Sequence, residues 1–185
     1  MDPDGKDIKK AVNVIKNSKN LSLNTKSAIS SKMITNLYNA EDQRLSLLER
    51  IGIDGNTIGR GQLGESAYND VVSKLNNEMN AYSKSIGKDF SGDFKTDMKD
   101  NDLEDFIVTA YLSLCIEGRQ KKGRTSKDAA KFGIGYYHGA SMSIIRAQDQ
   151  ANDKLSFDEI EQIMEKGSKE SADIIKYIKE VYGEN

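Results

Sequence analysis

Residues 49–68 read ERIGIDGNTIGRGQLGESAY, and the stretch 52–64 inside it breaks with the rest of the chain. Five of the 15 glycines fall there, at Gly52, Gly55, Gly59, Gly61 and Gly64. Asp54-Gly55-Asn56 is a turn signal, and the apolar Ile53 and Ile58 on either side suit a small hairpin. Everything around this stretch carries helical periodicity. The expected fold is therefore mostly α, with one small β-hairpin or glycine-rich turn.

Upstream, Ile8, Ala11, Val12 and Ile15 fall at helical spacing within residues 7–16. A polar linker over 17–24 separates this helix from the remainder, which divides the chain into a helix and linker (1–24) and a main domain (25–185). A second helix opens near Lys26 and carries Ile29, Met33, Ile34 and Leu37. A third opens near Glu41, with Leu45 and Leu48 on one face, and ends at Glu49-Arg50-Ile51.

Downstream, Ser66 starts a helix carrying Val71, Val72, Leu75 and Met79, and the polar residues 83–100 read as a loop. Asn101-Asp102 caps the strongest helix in the sequence, whose Leu103, Phe106, Ile107, Ala110, Tyr111, Leu114 and Cys115 mark a core element. Residues 118–123 read as a basic loop ended by Thr125-Ser126 as N-cap, and the run from Arg119 to Arg124 as solvated. A second glycine-and-aromatic cluster, FGIGYYHG, occupies 132–139. Ser156 with Glu159 forms a capping box, and Ile174, Ile175, Ile178, Val181 and Tyr182 line a last helix.

Composition removes whole classes of function. With 27 Lys+Arg against 29 Asp+Glu, the net charge of −2 leaves no basic excess for neutralising phosphates, so nucleic acid is not the expected partner. No run approaches 18 apolar residues, so no membrane insertion is expected. One Cys and one His cannot build a zinc site or a disulfide framework, and Cys115 on its apolar stripe reads as packing. No metal and no cofactor are expected. Carboxylates are left to carry any chemistry.

Glu49 occupies the best place for such work. A carboxyl at a helix C-terminus faces the negative end of the macrodipole, and apolar neighbours disfavour its charged form further. A carboxylic acid still protonated near neutral pH is what protonates a leaving glycosidic oxygen. Gln62 in the following turn is suited to amide or hydroxyl groups, and Tyr136, Tyr137 and His138 to the faces and edges of sugars. For the second carboxylate Asp54 comes first, Glu65 second and Asp70 third.

The block Glu49…Gly59-Arg60-Gly61-Gln62-Leu63…Tyr68 resembles the catalytic segment of the lysozyme-like muramidase superfamily. There a Glu ends a helix, a small β-element follows, and a glycine-Gln-hydrophobic turn lines the cleft. Gly59-Arg60-Gly61 is also similar to the corresponding run of plant-type chitinases. Residues 130–140, AKFGIGYYHGA, are similar to a segment of lytic transglycosylases and goose-type lysozymes. The chain departs from those relatives at Arg50, where they carry Ser, and at His138, where they carry Asn.

The resemblance implies an α+β arrangement by class, with the hairpin or turn beside a cleft, and cleavage of the β-1,4 bond between N-acetylmuramic acid and N-acetylglucosamine in peptidoglycan. Glu49 would be the acid, Asp54 or Glu65 its partner, and Gln62, Tyr68, Tyr137 and His138 the residues that position the glycan. A transglycosylase would need no second carboxylate. The N-terminal MDPDGKDIKK has no apolar signal region, so the chain is expected to be made in the cytoplasm and delivered to the cell wall. By the resemblance it would be a type VI secretion effector or a phage lysin. A cognate immunity protein or inhibitor is then the expected protein partner.

Overall fold

The longest apolar stripe becomes the axis of the molecule. A computed structural model describes residues 6–51, 57–138, 142–151 and 154–184, with side chains except at 44–51, 142 and 143. Helix α7 (Asn101–Gln120) buries residues on all sides, including Phe106, Ile107, Ala110, Leu112 and Ile116 at 0% exposure, as a central core helix must. Its N-cap is Asp100, whose side chain accepts from Asp102 N and Leu103 N, one residue earlier than the expected cap.

Around it stand α1 (Lys6–Lys16), α2 (Leu23–Ala28), α3 (Ser31–Ile51), α4 (Glu65–Lys74), α5 (Asn76–Ile86) and the short α6 (Phe94–Asp97). After α7 come α8 (Ser126–Tyr137), α9 (Met142–Ala151), α10 (Phe157–Glu165) and α11 (Lys169–Tyr182). Helices α8 and α1 pack most extensively on α7, while α11 closes the bundle against α3 and α8. Gly133 makes the α7–α8 approach close: a Cβ there would lie 2.9 Å from Ile116 backbone. The first and second glycine clusters thus differ, since Gly133 and Gly135 of the second lie within α8 and serve helix packing.

The fold is mostly α with one small two-stranded antiparallel sheet, as the sequence pattern requires. Several boundaries move. Residues 31–51 form one continuous helix of 21 residues rather than two shorter ones, because buried Leu37, Ala40 and Glu41 carry one face across the expected break. Residues 83–100 include the end of α5 and all of α6. The N-terminal helix shares the common core: Ile8, Ala11, Val12 and Ile15 are buried among the residues of the main domain.

The hairpin also moves. Strands β1 (Thr57–Ile58) and β2 (Leu63–Gly64) pair Thr57 with Gly64 and Ile58 with Leu63, so the described hairpin turns at 59–62, while the expected turn at Asp54-Gly55-Asn56 lies outside the described residues. Gly59, at φ 81°, supplies the left-handed backbone that this tight turn needs. Ile53 and Asp54 lie outside the described residues.

Candidate functional site

Three chain segments converge beneath the hairpin: the 59–62 turn, the first turn of α7, and the middle of α3. Arg60 reaches down from the turn. Its Nε donates to Glu104 Oε2 at 2.8 Å, and its Nη2 donates to Asp105 Oδ1 at 2.7 Å and to Asn101 O at 2.8 Å. The guanidinium lies 4.4 Å over the ring of Tyr38, whose hydroxyl donates to Asp105 Oδ1 at 2.8 Å. Glu104 Oε1 accepts from Gly61 N at 2.9 Å, and Tyr137 OH donates to Gly61 O at 2.7 Å. Gly61 is seated so closely that an added Cβ would come within 2.4 Å of Val108 Cγ2.

The electrostatics of this clamp are unbalanced. Both carboxylates have fully buried side chains, against one guanidinium that is 30% exposed. Asp105 Oδ2 is buried with no hydrogen-bond partner. Loss of water pushes the Asp105 carboxyl up to about 6, and Arg60 and Tyr38 hold it back only in part. Burial raises Glu104 as well, opposed by the Gly61 N–H and by Arg60. Tyr38 is raised well above its ordinary value by burial and by the two carboxylates.

Above the clamp, Gln62 has φ 50°, and among the described residues it alone combines a side chain with a left-handed backbone. Its Nε2 donates to Gly59 O at 2.6 Å, and its Oε1 accepts from Thr57 Oγ1 at 2.7 Å. The side-chain amide is thus held by the hairpin itself, in a residue that is partly exposed.

The other residues singled out in the sequence fall as follows. Position 49 lies in the last turn of α3, eleven residues and so about three turns beyond Tyr38 on the same side of the helix. The side chain of Glu49 and the whole of Asp54 lie outside the described residues. Glu65 is exposed at the first position of α4, directly after β2. Asp70 is partly exposed and pairs with Lys74 at 2.8 Å.

The three ring residues expected to touch substrate are buried. Tyr68 is 1% exposed, and its hydroxyl donates to Asp97 Oδ2 at 2.5 Å, joining α4 to α6. Tyr137, 4% exposed, props the hairpin from below. His138, 9% exposed, lies edge-on to Tyr177 at 4.3 Å. Their positions are those of supports, because each faces inward from its helix or helix end. Tyr136 also has a protein partner, with its hydroxyl donating to Asp149 Oδ2 at 3.0 Å.

The basic run is likewise anchored. Arg119 and Arg124 are 12% and 7% exposed, and both bond to Asp149 of α9; only Lys121 of the ion-paired residues there is open to solvent. Burial pushes the Cys115 thiol up to about 12, which leaves it unreactive in the packing role expected of it. Among the described residues, no cluster of His, Cys, Asp and Glu is arranged to hold a metal ion, and no helix is long and apolar enough to cross a membrane. A groove of about 740 Å³ runs between α3 and α11, lined by Lys32, Asn36, Gln43, Lys176 and Lys179, and shares no residue with the clamp.

Comparison with known proteins gives no match to a family model, a curated protein or a solved structure. The residues missed in the sequence are Tyr38, Glu104 and Asp105. The signal for the last two was present: adjacent carboxylates set inside the apolar run from Leu103 to Ala110.

Proposed function

We propose that the chain is a peptidoglycan glycosidase of muramidase type, cleaving the β-1,4 bond between N-acetylmuramic acid and N-acetylglucosamine. The observation that carries the reading is positional. Residue 49 stands in the last turn of a 21-residue helix, and a hairpin braced on that helix's Tyr38 follows it in the chain. A helix C-terminus favours the protonated form of a carboxyl there, as a general acid requires.

In this mechanism Glu49 protonates the glycosidic oxygen as the C–O bond breaks. Asp54 or Glu65 activates water or stabilises the oxocarbenium-like state, the choice depending on the separation of the two carboxyls. Gln62 meets the N-acetyl or hydroxyl groups of the glycan from the turn. Tyr68, Tyr137 and His138 support these elements from within. The biological setting that fits is a delivered antibacterial effector or lysin, with an immunity protein protecting the producer.

Mass spectrometry of digested peptidoglycan sacculi tests the reading. Reducing ends identify a hydrolase, and 1,6-anhydro ends a transglycosylase. Turnover of chitin oligomers alone moves the substrate to a chitinase-like one, and the absence of any product refutes the glycosidase. Glu49→Gln should lose at least about 100-fold in rate at an unchanged melting temperature.

A further inference from the structure

Three features that each disfavour the folded state coincide at one hairpin. Among the described residues, a buried charge excess of two carboxylates over one guanidinium sits beneath it. One of the four carboxylate oxygens has no partner. The Gln62 backbone is left-handed without being glycine. A purely structural tether would gain by replacing such a set with apolar packing, since buried ion pairs commonly lose to it. Costs concentrated at one place point instead to a position held for use.

The geometry says what is held. Arg60 is fixed at three acceptors by two adjacent residues and a carbonyl of α7, and its planar face is pressed on Tyr38 of α3. Glu104 serves twice, taking Arg60 with one oxygen and the Gly61 N–H with the other. Tyr137 fixes the Gly61 carbonyl. The next residue is Gln62, whose amide is oriented by Gly59 and Thr57. From α3, α7 and α8, every bond just named ends one or two residues from Gln62.

We propose that Arg60, fastened by Glu104 and Asp105, is a positioning residue that sets the 59–62 turn and so presents Gln62 to the N-acetyl or hydroxyl groups of the glycan. The inference rests on the glycosidase reading. It assigns to the buried carboxylate pair a part in substrate recognition, through the hairpin and without contact. Among the described residues, the titratable and charged groups facing Asp105 are Arg60 from the turn, Glu104 beside it and Tyr38 from α3. The protonatable character of the pair under burial agrees with a strut kept at a cost.

The test uses the full chain with Asp105→Asn, Arg60→Lys and Arg60→Gln. Hydrogen exchange at the Gly61 and Gln62 amides should accelerate at least tenfold in Asp105→Asn, with α7 core amides unchanged. On soluble peptidoglycan glycan oligomers the same variant should lose at least tenfold in kcat/KM, mainly through a higher KM, at a melting temperature no lower than wild type. Arg60→Lys should not restore the loss, because one ammonium cannot reproduce a planar fork on two carboxylates. If Arg60→Gln fails to fold, Asp105→Asn still decides. An active wild type whose Asp105→Asn variant keeps its kcat/KM, or hairpin amides with unaltered exchange, overturns the strut. An inactive wild type whose hairpin amides nevertheless loosen in Asp105→Asn refutes the glycosidase alone.

Discussion

The two ends of α7 carry opposite charge triplets. At its start, Glu104 and Asp105 meet the single Arg60 of the hairpin; at its end, Arg119 and the following Arg124 meet the single Asp149 of α9. Each set suits its end of the helix, acids at the positive N-terminus and guanidiniums at the negative C-terminus. Both bury their carboxylates, and both fasten a neighbouring element to the core. They differ in what the excess charge can do. A surplus carboxylate can take a proton, whereas a surplus guanidinium cannot give one up. One end of the helix therefore holds a tether that can relax, and the other a tether that cannot.

The largest effect should follow from breaking the second triplet. Asp149→Ala leaves Arg119 and Arg124 buried without their shared partner, and such uncompensated charge costs about 3–5 kcal/mol. A melting temperature lower by at least about 6 °C is expected by calorimetry. A fall of less than about 2 °C would show that the two guanidiniums find other acceptors. Arg60→Met is the matching lesion at the first triplet, and its cost should be smaller, about 2–3 kcal/mol at pH 8, because Asp105, already raised to about 6, can protonate. It should shrink below about 1 kcal/mol at pH 5, where that protonation is easy. An equal cost at both pH values contradicts the relaxing tether.

Wild-type stability should carry the same contrast as two opposed pH dependences. Asp105, raised to about 6, contributes stability that is fully present below the ordinary carboxylate value and is lost as pH rises through about 6. For Asp149 burial alone would act upward, but bonds from Arg124, Tyr136 and Arg119 hold the carboxyl below its ordinary value. Its contribution is present above that value and disappears as pH falls through the lowered one. The gap between about 6 and 3.8 corresponds to about 3 kcal/mol at most. In urea titrations Asp105→Asn should equal wild type near pH 4 and exceed it by about 1–3 kcal/mol at pH 7.5. An excess that does not grow between these values would remove the buried Asp105 charge as a cost.

Much of this was legible in the sequence, for physical reasons that also mark where reading stops. The apolar stripe of α7, the capping box at Ser156 and the glycine-rich turn are local patterns, and local patterns survive folding. The hairpin register was not legible, because Gly59 and Arg60 are selected by contacts with Glu104, 44 and more residues away. Helix α3 read as two pieces because Glu41, polar by type, is buried and accepts from Tyr177 OH at 2.8 Å, a contact spanning 136 positions. Tyr68 and Tyr137 were expected at a surface for the same reason: a tyrosine's spacing along a helix does not tell whether its hydroxyl finds water or Asp97 or Gly61. Arg119 and Arg124 read as solvated because Asp149 is remote in sequence. Long-range polar partners are what a sequence pattern withholds.

The finest separation of the two ends comes from a pair of adjacent tyrosines. Tyr136 belongs to the second triplet, donating to Asp149, and Tyr137 to the first region, donating to Gly61 O. Removing the Tyr136 hydroxyl leaves Asp149 with both guanidiniums, so Tyr136→Phe should cost only about 0.5 kcal/mol. Tyr137→Phe takes the side-chain donor from a buried carbonyl, and an unmet buried acceptor costs about 1–3 kcal/mol. The two variants remove the same atom from neighbouring residues of one helix, so propensity and side-chain entropy cancel in the comparison. Only Tyr137→Phe should also change the Gly61 and Gln62 amide resonances, because only that hydroxyl touches the turn. If Tyr136→Phe shifts them equally, the two ends of α7 are coupled and the hairpin is not braced independently of α9.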